Sequence, residues 1–263
     1  VSSVGDGSVF AINFGADEPD GNRSDVSGAA GILSTSNWNN VDGASGEANE
    51  LIADNGGSAA GSSVSVTWAS NNTWSSQGRG EENNEAAEGD DRNMMTGYLD
   101  TNNTSQTTVT VDGLPDGASY DVVVYAKGGV PGRGGEFSIG DAVIPHSTES
   151  SFSGAYNYGS AGEYIVFKGV TGSSFTLTGK PTTGSPPRAP INGIEVVIGG
   201  GVDTPAASGS ISGLSLQDGN VVIEYTGTLK SSESVSGPYS DVAGASSPHS
   251  VEPTKASEFY IAE

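Results

Sequence analysis

Residues 120–126 read Tyr-Asp-Val-Val-Val-Tyr-Ala and form the strongest strand signal in the chain. β-branched and aromatic side chains fit the pleated surface of a strand, and this run contains little else. The run at 9–14, Val-Phe-Ala-Ile-Asn-Phe, predicts a largely buried strand. Residues 63–68 alternate polar and apolar side chains, which is the pattern of a half-buried strand. These three runs predict an all-β protein.

The composition favours the same fold class. Of 263 residues, 40 are glycine and only 34% are apolar, which suits many short strands joined by turns. Long helices are excluded, because glycine is costly inside them. Further strands are predicted at 108–111, 136–139 and 191–198. A hairpin is predicted from 163–167 and 174–178, and one short helix at 94–99.

Two domains are predicted. Residues 1–199 form a jelly-roll-type β-sandwich, residues 200–208 have the composition of a linker, and residues 209–263 form a small C-terminal β module. A β module of that size without cysteine is marginally stable alone. We therefore expect it to lean on the first domain or on another subunit.

The charge and the absence of cysteine limit the classes of partner and binding site that the protein can have. The chain has ten basic and thirty-two acidic residues, and its net charge of −22 repels phosphate backbones and anionic lipid. The sequence thus predicts no nucleic-acid partner, and no apolar run is long enough for membrane insertion. The lack of cysteine rules out disulfides and thiolate zinc sites. The start at Val1, within a small-residue stretch, is typical of a chain after signal-peptide removal. We expect a secreted, extracellular or cell-surface protein, in a bacterial setting.

Three of these runs also carry a family resemblance. Val-Phe-Ala-Ile-Asn-Phe-Gly at 9–15, Ile-Asn-Gly-Ile-Glu-Val at 191–196 and the strand at 120 together resemble the malectin-like, galactose-binding-like β-sandwiches over residues 9–198. The resemblance implies a jelly-roll-type sandwich that is often a carbohydrate-binding module. It transfers no ligand, because the sugar-contacting loops of that family do not align here. The tail, 213–260, resembles C-terminal β modules of bacterial exported surface proteins.

Nothing in the sequence predicts catalysis. The two histidines, His146 and His249, each lie in a Pro/Ser-rich stretch, where a surface residue is commoner than a general base. No nucleophile elbow, dinucleotide turn or phosphate-cradling loop is present. Paired carboxylates could still hydrolyse glycosides, but pairs arise by chance in so acidic a chain. The prediction is that the protein is not an enzyme.

Two acidic loops could bind Ca²⁺, the one cofactor that the sequence suggests. Hard oxygen ligands surround a glycine turn at 17–25, and a second acidic run follows Trp74. The spacing is not that of an EF-hand, and a solvated acidic loop is the alternative. The candidate ligands are Asp17, Asp20, Asn22 and Asp25 in the first loop and Glu81, Glu82 and Glu85 in the second.

Polysaccharide is one candidate partner. Aromatic rings can stack on pyranose faces while neighbouring amides bind hydroxyls, and Arg133 could pair with an anionic sugar. The alternative for Trp38 is a place in the core of the sandwich, and Trp74 could lie on the surface or inside. The predicted carbohydrate-binding residues are Trp38, Asn39, Trp74, Arg133, Tyr156 and Tyr158.

Identical subunits are the other candidate partner. Apolar strand-like segments lie near both ends of the chain, and an unpaired edge or exchanged strand is a common way for β subunits to polymerise. The C-terminal segment could instead be the last strand of its own module. The predicted assembly residues are Val9, Phe10, Ile12 and Phe14 at one end and Phe259, Tyr260 and Ile261 at the other.

The sequence therefore leaves two functions open. The first is a non-catalytic structural or adhesive protein, a self-assembling filament or surface-layer subunit built on a carbohydrate-binding-type sandwich. The alternative is a polysaccharide-binding module, stabilised by Ca²⁺ if the acidic loops bind it.

Overall fold

The computed structural model describes residues 4–15, 25–75, 88–204, 209–217, 219–255 and 257–262. The chain divides into two compact units, Val1–Val202 and Asp203–Glu263. Strands dominate both, and the described residues contain a single helix, so the predicted all-β sandwich class is confirmed. No helix in the described ranges has the length and apolar character needed to cross a bilayer.

The first unit contains fifteen strands and the helix in its described residues. The helix α1 spans Gly89–Thr96, between the seventh and eighth strands. The strands are β1 (Val9–Phe14), β2 (Trp38–Val41), β3 (Ser45–Ala48), β4 (Ile52–Asn55), β5 (Ser58–Gly61), β6 (Ser65–Ala69), β7 (Asn72–Ser75), β8 (Gly97–Asp100), β9 (Thr107–Asp112), β10 (Ser119–Tyr125), β11 (Arg133–Ile139), β12 (Ala142–Thr148), β13 (Tyr164–Thr171), β14 (Ser174–Thr183) and β15 (Gly193–Ile198).

Two large sheets form the sandwich. One has the order β13-β10-β15-β1-β4-β5, with β2 added in parallel to β1, and the other has the order β12-β11-β14-β9-β6-β3. Their facing sides enclose the inner core, where side chains of the first sheet meet those of the second. Among its fully buried residues are Phe10, Ile12, Val122, Val124, Val109 and Phe137.

The first sheet is also covered on its other face. There, α1 and the loop before β13 close a second cluster, here called the outer core, which contains Trp38, Met94, Met95, Tyr125, Phe152 and Tyr164. Strands β1, β10 and β15 are consequently buried on both faces. This explains why the runs at 9–14 and 120–126 are apolar almost throughout, since a strand covered on both sides has no solvent face to mark with polar residues.

The burial of β1 corrects the prediction that its apolar residues mediate assembly. The strand pairs with β15 on one side and with β2 and β4 on the other. Val9 is 9% exposed, and Phe10, Ile12 and Phe14 are fully buried. With its hydrogen-bonding edges and both faces occupied within the unit, β1 is a central strand and offers no edge to a neighbour.

Two local predictions were also wrong. Residues 163–167 and 174–178 do not form a hairpin, because β13 pairs with β10 in the first sheet, whereas β14 pairs with β11 and β9 in the second. The chain between them therefore crosses the sandwich instead of reversing within one sheet. The helix also begins and ends earlier than 94–99, since residues 97–100 are the strand β8.

The boundary between the units lies inside the segment predicted as a linker. The carboxylate of Asp121 accepts hydrogen bonds from the backbone N–H groups of Gly201 and Val202, both at 3.0 Å. Val202 is 3% exposed and packs in the outer core. Residues 200–202 thus belong to the first unit, because a buried carboxylate holds their backbone.

The second unit consists of two small sheets. The first has the order β16 (Ser210–Gln217), β17 (Asn220–Thr226) and β20 (His249–Val251), and the second β19 (Ser240–Asp241), β18 (Leu229–Ser232) and β21 (Phe259–Ala262). Only Ile223, Tyr225 and Leu229 form its buried apolar cluster within the described residues. Leu214 and Leu216 on β16 are 68% and 77% exposed. This unit has a far smaller core than the first.

Candidate functional site

A cleft in the first unit collects side chains from five separate segments of the chain. It combines aromatic, hydroxyl, cationic and carboxylate groups, and its volume is about 100 Å³. We call it the Trp74 cleft, and the polar and aromatic side chains that line it are Trp74, Tyr98, Asp100, Arg133, Thr148 and Arg188.

A two-stranded ribbon supplies the aromatic wall. Strand β7 pairs with β8 so that Trp74 lies directly opposite Tyr98. Tyr98 is 5% exposed, and its hydroxyl accepts a hydrogen bond of 3.2 Å from the backbone N–H of Gly129. Trp74 is half-buried, so part of its ring faces the cleft. The buried tyrosine thereby fixes the ribbon against the loop at 128–130 and supports the tryptophan.

A close approach of two strands places Arg133. At the beginning of β11, Arg133 lies opposite Thr148 at the end of β12. A Cβ at the next residue, Gly134, would lie 2.4 Å from the carbonyl oxygen of His146, so only glycine permits this spacing. The hydroxyl of Thr148 accepts a 3.0 Å hydrogen bond from the N–H of Gly128. The arginine thus projects from a tightly packed backbone.

The second arginine is held by polar contacts. The Nε of Arg188 lies 3.5 Å from Oδ2 of Asp100. Its Nη1 donates to Oδ1 of Asn103 and to the carbonyl of Pro187, both at 2.8 Å. Prolines restrict the backbone on both sides of it, in the run Pro-Pro-Arg-Ala-Pro at 186–190, and the three contacts of its side chain hold the guanidinium in place.

The cleft carries positive charge in a strongly negative protein. Among the described residues, two of the ten basic residues of the chain line it, against one carboxylate. Arg133 forms no ion pair with any described residue, and its Nε is buried without an acceptor among them. Buried donors are nearly always paired, so a buried guanidinium nitrogen without an acceptor is unusual. The volume suits part of a ligand, such as one ring edge and its substituent, because whole drug-sized ligands occupy roughly 300–1,000 Å³.

A buried ion pair supports the loop that forms the back of the cleft. Lys127 is fully buried, and its Nζ lies 2.7 Å from Oε1 of Glu163. The other carboxylate oxygen of Glu163 accepts from the N–H and the side-chain amide of Asn157, at 2.8 and 2.9 Å. The backbone N–H of Lys127 donates to Oδ1 of Asn192 at 2.7 Å. The residues that precede Gly128 are therefore fixed by paired charges.

His146, one of the two histidines of the chain, is a buried residue of β12. Its Nε2 is 2.9 Å from the carbonyl oxygen of Gly162 and its ring packs edge-on against Phe137. Burial lowers its pKa to about 4, although the Gly162 carbonyl acts in the opposite direction. At neutral pH it is an uncharged residue of the packed interior, in contrast to the surface position expected from its neighbours in sequence.

Trp38, predicted to bind sugar, lies in the outer core. It is 9% exposed, its Nε1 donates to the carbonyl of Thr35 at 2.7 Å, and its ring packs against Tyr125 at 6.4 Å. This corrects the prediction, because a ring enclosed by protein cannot stack on a pyranose. The sequence did not distinguish a core position from a surface position for Trp38, because the asparagines that follow it on β2 are themselves only partly exposed.

Asn39 has a structural role instead of the predicted one. Its side-chain amide donates to the carbonyls of Ala11 and Ile52 at 3.0 and 2.8 Å, and its Oδ1 accepts from the N–H of Ile52 at 2.9 Å. The amide thereby bridges β1 and β4. All of its bonding capacity, apart from one acceptor site, is occupied within the sheet.

Tyr156 and Tyr158 also lie against the outer core and not in the Trp74 cleft. The ring of Tyr156 packs on Phe152 at 4.9 Å and on Tyr125 at 5.4 Å. Its hydroxyl donates to Oδ1 of Asp91 at 2.8 Å, and burial raises its pKa far above the ordinary value. Tyr158 packs on Tyr164 at 5.6 Å. Both rings therefore join the loop before β13 to the sheet.

A buried carboxylate completes the outer core. Glu195 is fully buried, and it accepts hydrogen bonds from the hydroxyls of Thr35 and of Tyr125, the latter at 2.5 Å. Burial raises the pKa of Glu195 to about 7, and the two hydroxyls oppose that shift. Burial likewise raises the pKa of Tyr125 well above its usual value, with Glu195 adding to the effect.

Most of the predicted metal ligands lie outside the described residues, namely Asp17, Asp20, Asn22, Glu81, Glu82 and Glu85. Asp25 is exposed, and its backbone carbonyl accepts a hydrogen bond from Asn93. The described residues contain no cluster of three or more metal-ligating side chains. Calcium binding thus stays a prediction.

The C-terminal assembly residues lie on an outer strand. Strand β21 pairs with β18 alone among the described residues, and Phe259, Tyr260 and Ile261 are half-buried. Phe259 and Tyr260 border an apolar groove in the second unit that also includes Ile211 and Leu214. Of the two predicted assembly segments, this one keeps an accessible edge.

Sequence reasoning identified Trp74 and Arg133 but missed the other cleft residues. Tyr98 and Asp100 lie on the strand that was expected to be helix, and Thr148 is an ordinary residue at a strand end. Arg188 did carry a signal, because an arginine enclosed by prolines is unusual in a chain with ten basic residues.

By fold and site, the chain is an all-β sandwich protein with a cationic, aromatic cleft. No protein-family model and no curated protein matches it. Among solved structures, a chain in the crystal structure of the plant peptide RALF23 in complex with FER and LLG2 is similar at a TM-score of 0.30 and 14% identity, over 84% of this chain and 48% of that one. The plant receptor-like kinase FER is similar at a TM-score of 0.28 and 11% identity, over 82% and 46%. The chain spans about half the length of the solved chains it matches.

Proposed function

We propose that the chain is a non-catalytic, extracellular polysaccharide-binding protein, and that the Trp74 cleft is its sugar-binding site. The observation that supports this most is the position of Trp74, a half-buried ring that lines a polar cleft together with Arg133 and Arg188. A sugar presents an apolar ring face and a rim of hydroxyls, which an aromatic ring and hydrogen-bonding side chains can bind together.

The rigidity of the cleft supports the same function. Tyr98, Thr148 and Arg188 are each held by hydrogen bonds to the backbone or to neighbouring side chains. A site that is ordered before binding loses less conformational entropy when the ligand arrives. This matters for a shallow site, in which few contacts are available to offset that loss.

A glycan array probed with the intact chain tests the proposal. We expect binding to at least one polysaccharide, loss of that binding in Trp74→Ala, and partial retention in Trp74→Phe, because phenylalanine keeps an aromatic face. Tyr239→Ala serves as the matched control, since it removes a half-buried ring from the second unit. If every variant binds like the wild type, or if the wild type binds no glycan, this function is wrong.

Self-assembly through the second unit is a second candidate function. It is favoured by the exposure of Leu214 and Leu216 on β16, which is an outer strand, together with the accessible edge of β21. Exposed apolar residues on outer strands favour pairing with another chain. The partner in this case is a second copy of the same chain.

Size-exclusion chromatography with light scattering and negative-stain imaging test self-assembly. We expect oligomers or filaments whose amount rises with protein concentration, and a monomer when Leu214 and Leu216 are both changed to lysine. Val143→Lys is the control, because Val143 is 56% exposed on β12 of the first unit. A wild type that stays monomeric at all concentrations would contradict this second function.

A further inference from the structure

We infer that the Trp74 cleft selects acidic polysaccharides, with Arg133 binding the anionic group of the sugar while Trp74 contacts its ring. This rests on the proposed function and names the class of glycan for the same site. The shared chemistry is an anionic substituent on a sugar ring, either the carboxylate of a uronic acid or a sulfate ester.

The first reason is the state of the Arg133 guanidinium. It lies at the cleft wall, it forms no ion pair with any described residue, and its Nε is buried without an acceptor among them. Guanidinium groups bind carboxylates and sulfates through two parallel hydrogen bonds, and these are stronger than hydrogen bonds between neutral groups. A neutral sugar would offer this cation hydroxyls alone.

The contrast with Arg188 supplies the second reason. Asp100 and Asn103 hold that arginine, so its charge is partly compensated within the protein. Among the described residues that line the cleft, Arg133 therefore adds one positive charge in excess over the carboxylate of Asp100. In a chain of net charge −22, carboxylates are abundant, so an arginine without a carboxylate partner among the described residues is a specific feature.

The strong negative charge of the whole chain predicts how salt affects this binding. An acidic polymer is repelled by the protein at long range, and salt screens exposed charges beyond about 8–10 Å at 0.1–0.15 M. The contact with Arg133 is short and half-buried, so salt screens it much less. Added salt is thus expected to strengthen binding from low to moderate ionic strength. A non-specific attraction between the acidic polymer and exposed basic groups would instead weaken as salt is added.

Titration calorimetry with the intact chain tests the inference, in buffer that contains a chelator. The probes are alginate oligosaccharides, the same oligosaccharides after reduction of their carboxylates to alcohols, and a sulfated galactan with its desulfated form. We expect binding to a charged probe and about ten- to a hundredfold weaker binding to its neutral form. The carboxylate and sulfate pairs distinguish the two sources of the negative charge.

The variant Arg133→Gln should lose the preference for the charged form and bind both forms with similar, weak affinity. Lys168→Gln is the matched control, because it removes one positive charge from an exposed position on β13 that does not line the cleft. We expect its affinity to equal that of the wild type.

Three outcomes would overturn the inference. In the first, the wild type binds the charged and neutral forms equally and Trp74→Ala abolishes both; the proposed function would then stand, and the preference for acidic glycans would be wrong. Binding that disappears in the chelator would assign the contact to a bridging cation. An absence of binding to all glycans, the array included, would reject the proposed function and this inference together.

Discussion

The Trp74 cleft and the outer core are built from the same kinds of residue and use them in opposite ways. Both contain a tryptophan, at least one tyrosine and at least one carboxylate, and both include residues that the sequence predicted to bind sugar. In the outer core, Trp38 is closed off by Tyr125. In the cleft, Trp74 stays half-exposed beside an arginine with no ion pair among the described residues. Packing on both faces, and not the residue type, thus decides whether such a side chain is structural or able to bind a ligand.

The largest expected effect separates the two tryptophans by stability. Trp38→Ala should lower the free energy of unfolding by about 3–5 kcal/mol, because it leaves a cavity between the first sheet and its outer cover. Trp74→Ala should lower it by less than about 1 kcal/mol, since a half-exposed ring loses less contact. Urea unfolding of both variants, followed by circular dichroism, measures the difference. Equal losses would show that Trp74 is part of the packed interior and remove it as a binding residue.

The second prediction concerns pH, because two buried groups, Glu195 on β15 and His146 on β12, change the stability in opposite directions as pH rises. Burial raises the pKa of Glu195 from 4.5 to about 7, so between these values the folded chain holds a proton that the unfolded chain has lost. The contribution of Glu195 to the free energy of unfolding is fully present below pH 4.5 and decreases as pH rises to about 7. Burial lowers the pKa of His146 from 6.5 to about 4, and its contribution is full above pH 6.5 and lost as pH falls to about 4.

The two contributions oppose each other where their ranges overlap, and each corresponds to roughly 3 kcal/mol. The free energy of unfolding of Glu195→Gln, minus that of the wild type, should therefore rise with pH between 4.5 and 7. The same difference for His146→Gln should fall as pH rises between 4 and 6.5. Urea unfolding at pH intervals from 4 to 8 measures both slopes. A difference that does not change with pH would mean that the group titrates normally in the folded chain.

The sequence predicted the central strands because their signal is local. The runs at 9–14 and 120–126 are apolar and rich in β-branched and aromatic residues, and both are strands of the first sheet. It could not predict that 163–167 and 174–178 belong to different sheets, because two strands separated by a short turn look alike whether they pair or cross the sandwich. Pairing is a property of the whole fold, and register and turn length alone do not reveal it.

The candidate site was predictable only in part for the same reason. Trp74 and Arg133 were identified from their own neighbourhoods, a ring beside asparagines and an arginine among glycines. Trp74 lies on the pair β7–β8 and Arg133 on the pair β11–β12, so their meeting depends on how segments far apart in the sequence come together in the fold. Trp38 and Tyr156 showed the same local pattern, and the cover formed by α1 and the loop before β13 encloses them.

The smallest effect tests whether Tyr156 is structural, as its packing indicates. Tyr156→Phe keeps the ring contacts with Phe152 and Tyr125 and removes the hydrogen bond to Asp91. Hydrogen bonds to charged groups contribute about 1.5–3 kcal/mol, so unfolding in urea should become easier by an amount of that order. Tyr239→Phe is the control, because the hydroxyl of Tyr239 donates to the carbonyl of Val235 at an exposed site and its loss should have little effect.

Glycan binding of the same variant completes this comparison. Tyr156 packs against the outer core and does not line the Trp74 cleft, so Tyr156→Phe should bind polysaccharide as the wild type does. Reduced binding with unchanged stability would reverse the roles of the two regions and place the sugar on the outer core. Reduced stability with unchanged binding would show that the fold separates the aromatic residues that stabilise the sandwich from those that contact a ligand.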